Sequence, residues 1–72
     1  MRLDKYLKVA RIIKRRTVAN ELCDASKVSV NGKIEKAGYI VKLSDTITIK
    51  YGDKNICHII DSIPYEGKNH VK

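Results

Sequence analysis

The spacing of the hydrophobic residues changes once along this chain, near Lys27, and that change is the strongest constraint on its fold. Before it, Leu3, Leu7 and Ala10 recur at the spacing of one helix face. After it, apolar and polar residues alternate, as they do in half-buried strands. Since 72 residues allow only one domain, we predict an α+β fold with two short N-terminal helices packed on a small, mostly antiparallel twisted sheet.

The two helices are predicted at residues 3–13 and 17–25. Asp4 suits the N-cap or the first turn of the first helix, because a negative charge there interacts favourably with the helix dipole. Thr17 is predicted to cap the second helix. The buried stripe of the second helix is expected to consist of Val18, Leu22 and Ala25.

The strands begin with a predicted hairpin, in which Val28 and Val30 lead into Asn31-Gly32, a dipeptide typical of tight turns. The return strand starts at Lys33-Ile34. Further strands are predicted at residues 46–50 and 56–63, and residues 35–43 are expected to form a loop with a short strand. The domain is therefore predicted to span residues 1–63, followed by a polar tail at 64–72 that frays.

Positive charge is concentrated at the N-terminal end of the chain. The first sixteen residues contribute +6 of the net charge of +7, a distribution typical of proteins that bind polyanions. The candidate phosphate contacts there are Arg2, Lys5, Lys8, Arg11, Lys14, Arg15 and Arg16. The chain has four Tyr and no Trp or Phe, so we expect contacts to phosphate and helix shape more than stacking on unpaired bases.

Arg15 and Arg16 stand just before the predicted second helix. Cations there oppose the helix dipole at a cost of about 0.3–1 kcal/mol each, so their position predicts a bound phosphate at the helix start. Replacing Arg16 with Ala is then expected to weaken RNA binding without lowering stability. The alternative is that Lys14, Arg15 and Arg16 are solvated turn residues.

Several other functions are disfavoured. With only His58 and His70, scattered acids and no glycine-rich phosphate loop, we expect neither an enzyme nor a cofactor. Cys23 and Cys57 lack the paired spacing of a zinc site, so we expect no metal and two buried, reduced thiols. No apolar run approaches the roughly 18 residues of a membrane span, which predicts a cytoplasmic protein.

Two further alternatives concern the helices. A DNA-binding helix-turn-helix protein also has adjacent short helices, but the candidate recognition helix is poor in bases and contains Glu21 and Asp24. A membrane-surface helix over residues 1–16 is the other alternative. Its apolar face, however, is needed as a partner for the sheet, because a small sheet alone is only marginally stable.

Three segments, R-L-D-K-Y-L, K-R-R-T and V-S-V-N-G-K, together resemble the S-four-type RNA-binding domain, also called the alpha-L motif, over roughly residues 1–50. The resemblance implies that the two helices and the hairpin edge grip structured RNA. The contacts that it implies are Arg2, Arg15, Arg16, Asn31 and Lys33. Ser26 and Ser44 stand where family members usually have glycine, and a positive φ at either position would be costly for serine.

The opening residues are similar to stand-alone members of this family that act in ribosome-associated quality control. That similarity implies large-subunit rRNA and tRNA or peptidyl-tRNA as partners, with a tailing factor on the same subunit. We expect a monomer with no membrane partner. The alternative within the family is a general structured-RNA or ribosome-assembly binding module.

Overall fold

The structure, a computed structural model, describes residues 1–63 and has the predicted α+β architecture. Its elements are α1 (Leu3–Val9), α2 (Arg16–Asp24), β1 (Val28–Val30), β2 (Lys33–Ile34), β3 (Thr46–Tyr51) and β4 (Lys54–Ile59). The strands form one antiparallel sheet in the order β2-β1-β3-β4. The predicted tail at 64–72 lies outside the described residues.

Both helices end in the same way, at a residue with positive φ. After α1, the Arg11 N–H donates to the Lys8 carbonyl and the Ile12 N–H to the Leu7 carbonyl, each at 3.0 Å, with Arg11 at φ 61°. This is the hydrogen-bond pattern of a Schellman motif, whose left-handed position is usually glycine. Consequently α1 ends four residues earlier than predicted.

The end of α2 repeats this pattern with Ser26 at φ 61°. The Ser26 N–H donates to the Cys23 carbonyl at 3.1 Å and the Lys27 N–H to the Leu22 carbonyl at 3.0 Å. Ser44 also has a positive φ, of 72°. Ser26 and Ser44 therefore both adopt the left-handed backbone that glycine would adopt more easily.

The start and the buried face of α2 differ from the prediction. Arg15 is its N-cap residue and makes no side-chain capping bond, while Thr17 lies within the first turn. Ala19 and Cys23 are fully buried, whereas Ala25 is exposed. The apolar residues of α2 form a wide stripe. As α2 packs against the rest of the fold, the centre of its buried face lies one residue later in the sequence than predicted.

The core combines residues from both helices, the sheet and the loops. Its main side chains are Leu3, Tyr6, Leu7, Ile13, Ala19, Cys23, Val28, Val30, Ala37, Val41, Ile47, Ile49 and Ile60. Burial of Leu3 and Leu7 uses the apolar face of α1 that a membrane-surface helix would need. Neither helix among residues 1–63 could cross a membrane.

Strand β4 ends at Ile59, four residues before the predicted end, and turns Cys57 away from the core. The register pairs Ile56 with Ile49 and Cys57 with Thr48. Because neighbouring strand residues point to opposite faces, Ile56 lies on the side of the buried Ile49. Cys57 is exposed, so the prediction of two buried thiols was wrong for this residue.

The loop that follows β2 holds the start of the chain in place. The Leu3 N–H donates to the Tyr39 carbonyl at 2.7 Å, and the Val41 N–H to the Met1 carbonyl at 3.0 Å. Arg2 and Ile40 form a single antiparallel bridge, which is the only strand-like feature within the ambiguous segment 35–43. This pairing positions the beginning of α1 and the side chain of Arg2.

Candidate nucleic-acid interface

One buried carboxylate, that of Asp4, holds together the cationic side chains at the start of the two helices. Asp4 lies in the first turn of α1 and is only 3% exposed. Its Oδ1 accepts from Arg2 Nε at 3.2 Å, and its Oδ2 lies 3.3 Å from both Arg16 Nε and Asn20 Nδ2. We call Asp4, Arg2, Arg16 and Asn20 the Asp4 cluster.

The Asp4 cluster retains a negative carboxylate and leaves donors available. Burial raises the pKa of Asp4, but hydrogen bonds from Arg16 and Asn20, together with the Arg16 charge, outweigh burial and hold it below its usual value. The side chains of Arg2 and Arg16 are 50% and 46% exposed. Since each guanidinium has five N–H donors, both can still donate to a phosphate.

A second group of cations lies where α1 connects to α2. Arg11, Lys14 and Arg15 line a groove of about 610 Å³ together with Tyr51 and with Ile12, Ile13 and Val18, and we call it the basic groove. Lys8 borders a smaller groove beside it, shared with Arg11 and Lys14. Within residues 1–63, none of the three basic-groove cations has an ion-pair partner. The basic groove therefore offers uncompensated positive charge.

The side chain of Asn31 makes two hydrogen bonds within the fold. Its Nδ2 donates to Asp45 Oδ1 at 3.0 Å and its Oδ1 accepts from the Thr46 N–H at 2.9 Å. With φ 55° it also occupies the turn between β1 and β2. Its amide is thus engaged within the fold, and it lies outside both the Asp4 cluster and the basic groove.

Asp45 is the second buried carboxylate of the described chain, 6% exposed. Besides Asn31, it accepts from the Tyr39 hydroxyl at 2.8 Å and from the Lys42 N–H at 2.9 Å. Burial raises the pKa of Asp45, but these three hydrogen bonds outweigh burial and hold it below its usual value. This arrangement ties the first hairpin to the loop before β3.

Lys33 and Lys5 are the remaining two predicted site residues. Lys33 is exposed at the start of β2, opposite Val30, and it lines neither the basic groove nor the Asp4 cluster. Lys5 follows Asp4 on α1, and its backbone N–H donates to Asp4 Oδ1 at 2.8 Å. The structure therefore gathers most of the predicted cations on the helical side and separates the hairpin residues from them.

Sequence reasoning missed three residues of this region. It treated Asp4 only as a helix-start acid, and it left out Asn20 and Tyr51. The four-residue spacing of Arg16 and Asn20, which places both on one helix face, could have indicated a shared partner. Nothing in the sequence indicated that Tyr51, 36 positions after Arg15, would line the same groove.

Comparisons with known proteins agree with this architecture. The model of the family described as S4 domain matches residues 1–47. A protein of Halalkalibacterium halodurans named RQC P-site tRNA stabilizing factor is 54% identical over 54 residues, which cover 75% of this chain and 61% of that protein. One of the same name from Listeria innocua is 46% identical over 68 residues, covering 94% of this chain and 74% of that protein.

A solved structure supports the same relationship. The trimeric structure of heat shock protein 15 from Vibrio cholerae superimposes with a TM-score of 0.83 at 34% identity, covering 89% of this chain and 65% of that one. This chain spans about three fifths of the length of the Halalkalibacterium halodurans relative. With the helix pair, the hairpin and the matching segment all in place, the chain belongs to the S4-domain family.

Proposed function

We propose that this protein binds RNA without catalysing a reaction, using the Asp4 cluster and the basic groove as one surface. Arg15 and Arg16 are adjacent at the start of α2, and they connect the two groups of cations. The observation that carries the proposal is that Arg11, Lys14 and Arg15 have no ion-pair partner within residues 1–63. Cations without acidic partners are suited to replacing the counterions that surround phosphate groups.

We further propose that the RNA is that of the large ribosomal subunit together with peptidyl-tRNA, in ribosome-associated quality control. Support comes from the relatives named RQC P-site tRNA stabilizing factor, one of which aligns over 94% of this chain. A surface this small makes few phosphate contacts, so two RNA partners side by side would supply the affinity and selectivity that one cannot. The protein would then act in the cytoplasm as a monomer beside a tailing factor.

The test is a pull-down of tagged protein from cells, scoring large-subunit rRNA, tRNA and tRNA linked to nascent chains. The first variant, Lys14→Ala/Arg15→Ala, removes two cations that make no ion pair within residues 1–63. The matched control, Lys27→Ala/Lys36→Ala, removes the same charge from exposed positions outside both clusters. The proposal expects the first variant to lose obstructed large subunits and the control to retain them.

The outcomes separate the alternatives. Equal recovery of empty and obstructed subunits by the wild type would reduce the function to general ribosome or structured-RNA binding. Recovery of DNA would favour the helix-turn-helix alternative. If both double variants lost obstructed large subunits equally, binding would depend on net charge alone, which would contradict a role for the basic groove.

A further inference from the structure

Tyr51 presents an aromatic ring at the edge of the basic groove. It is the last residue of β3, pairs with Lys54 across the β3–β4 hairpin, and is followed by Gly52 at φ 62°. The residue is 46% exposed. The strand end and the tight turn therefore fix the backbone position from which the ring projects beside the groove.

The other two described tyrosines have structural partners, whereas Tyr51 has none within residues 1–63. The buried Tyr6 hydroxyl lies 2.7 Å from His58 Nε2, and Tyr39 donates to Asp45. No hydrogen bond or ring contact within the described chain involves the Tyr51 side chain. An exposed large apolar group of this kind, next to a charged groove, is suited to contact with a ligand.

The composition of the groove matches one ligand class. Ile12, Ile13 and Val18 supply apolar lining, while Arg11, Lys14 and Arg15 supply cations, and none of the acidic residues in the described part of the chain lines it. A volume of about 610 Å³ lies within the range of about 300–1,000 Å³ that small-ligand sites occupy. A nucleotide combines the two chemistries that such a groove complements, a flat apolar base and an anionic phosphate.

The backbone of Arg11 is consistent with a ligand at this place. Arg11 occupies the left-handed position of the α1 Schellman motif, where glycine would be accommodated at least cost. Its side chain has no ion-pair partner within residues 1–63. Arg11 therefore brings a cation to the groove from a backbone position that glycine would occupy at lower cost.

We propose that the basic groove binds one unpaired nucleotide of the bound RNA, with the base stacked on Tyr51 and the phosphate on Arg11, Lys14 or Arg15. This inference rests on the proposed RNA-binding function and adds a base contact to it. It differs from the expectation from composition, which favoured phosphate and shape contacts over stacking. Stacking of this kind tolerates any base, because every base has a flat π-face.

The experiment measures affinity for two RNAs with the same number of nucleotides, a hairpin with an unpaired loop and a fully paired duplex. Tyr51→Ala is expected to weaken hairpin binding by roughly 5- to 160-fold, the usual effect of losing one base–aromatic stack. Its duplex affinity should stay within about twofold, since phosphate contacts remain. Tyr51→Phe retains the ring and should bind the hairpin like the wild type. Leu43→Ala, at an exposed apolar position outside the groove, is the control for loss of surface area.

A second variant gives a direct optical readout. The chain contains no Trp, so Tyr51→Trp introduces a single tryptophan at the edge of the groove, whose fluorescence can be excited selectively over that of the tyrosines. The proposal expects the hairpin to quench its fluorescence and the duplex to leave it largely unchanged. Thermal melting of each variant before titration shows that it is folded.

Several results would overturn the inference. The first is equal hairpin affinity for Tyr51→Ala and Leu43→Ala, and the second is that Tyr51→Ala loses as much affinity for the duplex as for the hairpin. The others are that the hairpin does not quench the fluorescence of Tyr51→Trp, or that the wild type shows no measurable hairpin binding. The ribosomal function is judged separately, by whether wild-type protein sediments with obstructed large subunits. If it does so and Tyr51→Ala binds the hairpin normally, stacking fails and the proposed function stands. If it does not, while the hairpin data agree with stacking, the ribosomal proposal fails alone.

Discussion

Arg16 and Asp4 join the two helices through a pair of contacts, from Arg16 Nε to Asp4 Oδ2 at 3.3 Å and from Arg16 Nη2 to Asp4 Oδ1 at 3.4 Å. The guanidinium thereby compensates a carboxylate that is almost fully buried. Arg16 is therefore part of the helix–helix packing as well as of the cationic surface. This differs from its sequence-based interpretation as a helix-start cation that contributes nothing to stability.

Replacing Arg16 with Ala should lower the free energy of unfolding by about 1 kcal/mol, because Asp4 loses two of its donors while staying buried. RNA affinity should fall as well. Arg16→Lys should restore only part of the stability, since an ammonium cannot form the same fork. Urea unfolding measures the effect, with Arg15→Ala as the control that loses affinity alone. An Arg16→Ala variant as stable as the wild type would restore the earlier interpretation.

Arg11 and Ser26 allow a matched comparison, because each holds the left-handed position that ends a helix. Glycine at either position should raise the free energy of unfolding by about 1 kcal/mol, through relief of the left-handed backbone. Only Arg11→Gly should also weaken RNA binding and lower its salt dependence by about one unit. Chemical unfolding and salt-dependent titrations measure both quantities. Unchanged RNA affinity in Arg11→Gly would remove Arg11 from the interface.

Asn31 and Lys33 should give opposite phenotypes, although the family resemblance implied RNA contact for both. Asn31→Ala should lower the free energy of unfolding by about 1–3 kcal/mol, because it leaves buried Asp45 without one donor and the Thr46 N–H without its acceptor. Lys33→Ala should leave stability within about 0.5 kcal/mol and affect only affinity. Thermal melts and RNA titrations of the two variants distinguish these effects. Normal stability of Asn31→Ala would show that its hydrogen bonds contribute little.

Stability should decrease in acid because of Asp4 and Asp45. The pKa of each is held below the usual value of 3.8, so the unfolded chain takes up protons first. Their contribution is complete above about pH 4 to 5 and is lost as the pH falls below 3.8 through the lower folded-state pKa. The unfolding free energy, measured across this range, should fall less steeply in Asp4→Asn and in Asp45→Asn. If the unfolding free energy of both variants fell with pH as steeply as that of the wild type, Asp4 and Asp45 would not be the cause of the acid sensitivity.

The two cysteines should react at very different rates. Cys57 is exposed on β4, whereas burial raises the pKa of the Cys23 thiol to about 11, and the Asp4 and Asp24 carboxylates add to the effect. At pH 8 one thiol per folded chain should react with a disulfide reagent, and both should react in denaturant. The Cys57→Ser variant is the control, and it should show no rapid reaction when folded. Two rapidly reacting thiols in the native protein would contradict the burial of Cys23.

The fold was predictable because helical and strand spacing occupy separate halves of the chain, with Asn31-Gly32 marking the first hairpin. Helix ends were less predictable, since Arg11 and Ser26 occupy positions where glycine is the usual signal. The sequence did not indicate which face of β4 Cys57 occupies. Residues 56–60 contain four apolar or thiol side chains, so the run shows no clear alternation of apolar and polar residues. Its two faces become distinguishable only once β3 supplies the pairing register.

The candidate site was predictable as a charge distribution and not as a geometry. Seven cations in sixteen residues indicated which end of the chain carries the positive surface. The pairing of Arg16 with Asp4 spans twelve positions and depends on how α1 packs against α2. The place of Tyr51 depends on the length of the β3–β4 hairpin. Both relationships are long-range, so local patterns could not indicate them.

The pairing of the first residues with the loop at 39–41 has a consequence for synthesis of the protein. Leu3 is anchored by Tyr39, and the Ser44 N–H donates to the carbonyl of Ile60, a fully buried residue near the end of the described chain. A growing chain cannot make the second of these contacts until residue 60 has emerged from the ribosome that produces it. Because α1 and α2 need the sheet to bury Leu3 and Leu7, the cationic surface assembles only in the finished domain. A nascent copy therefore lacks the arranged surface that a completed copy would use on RNA.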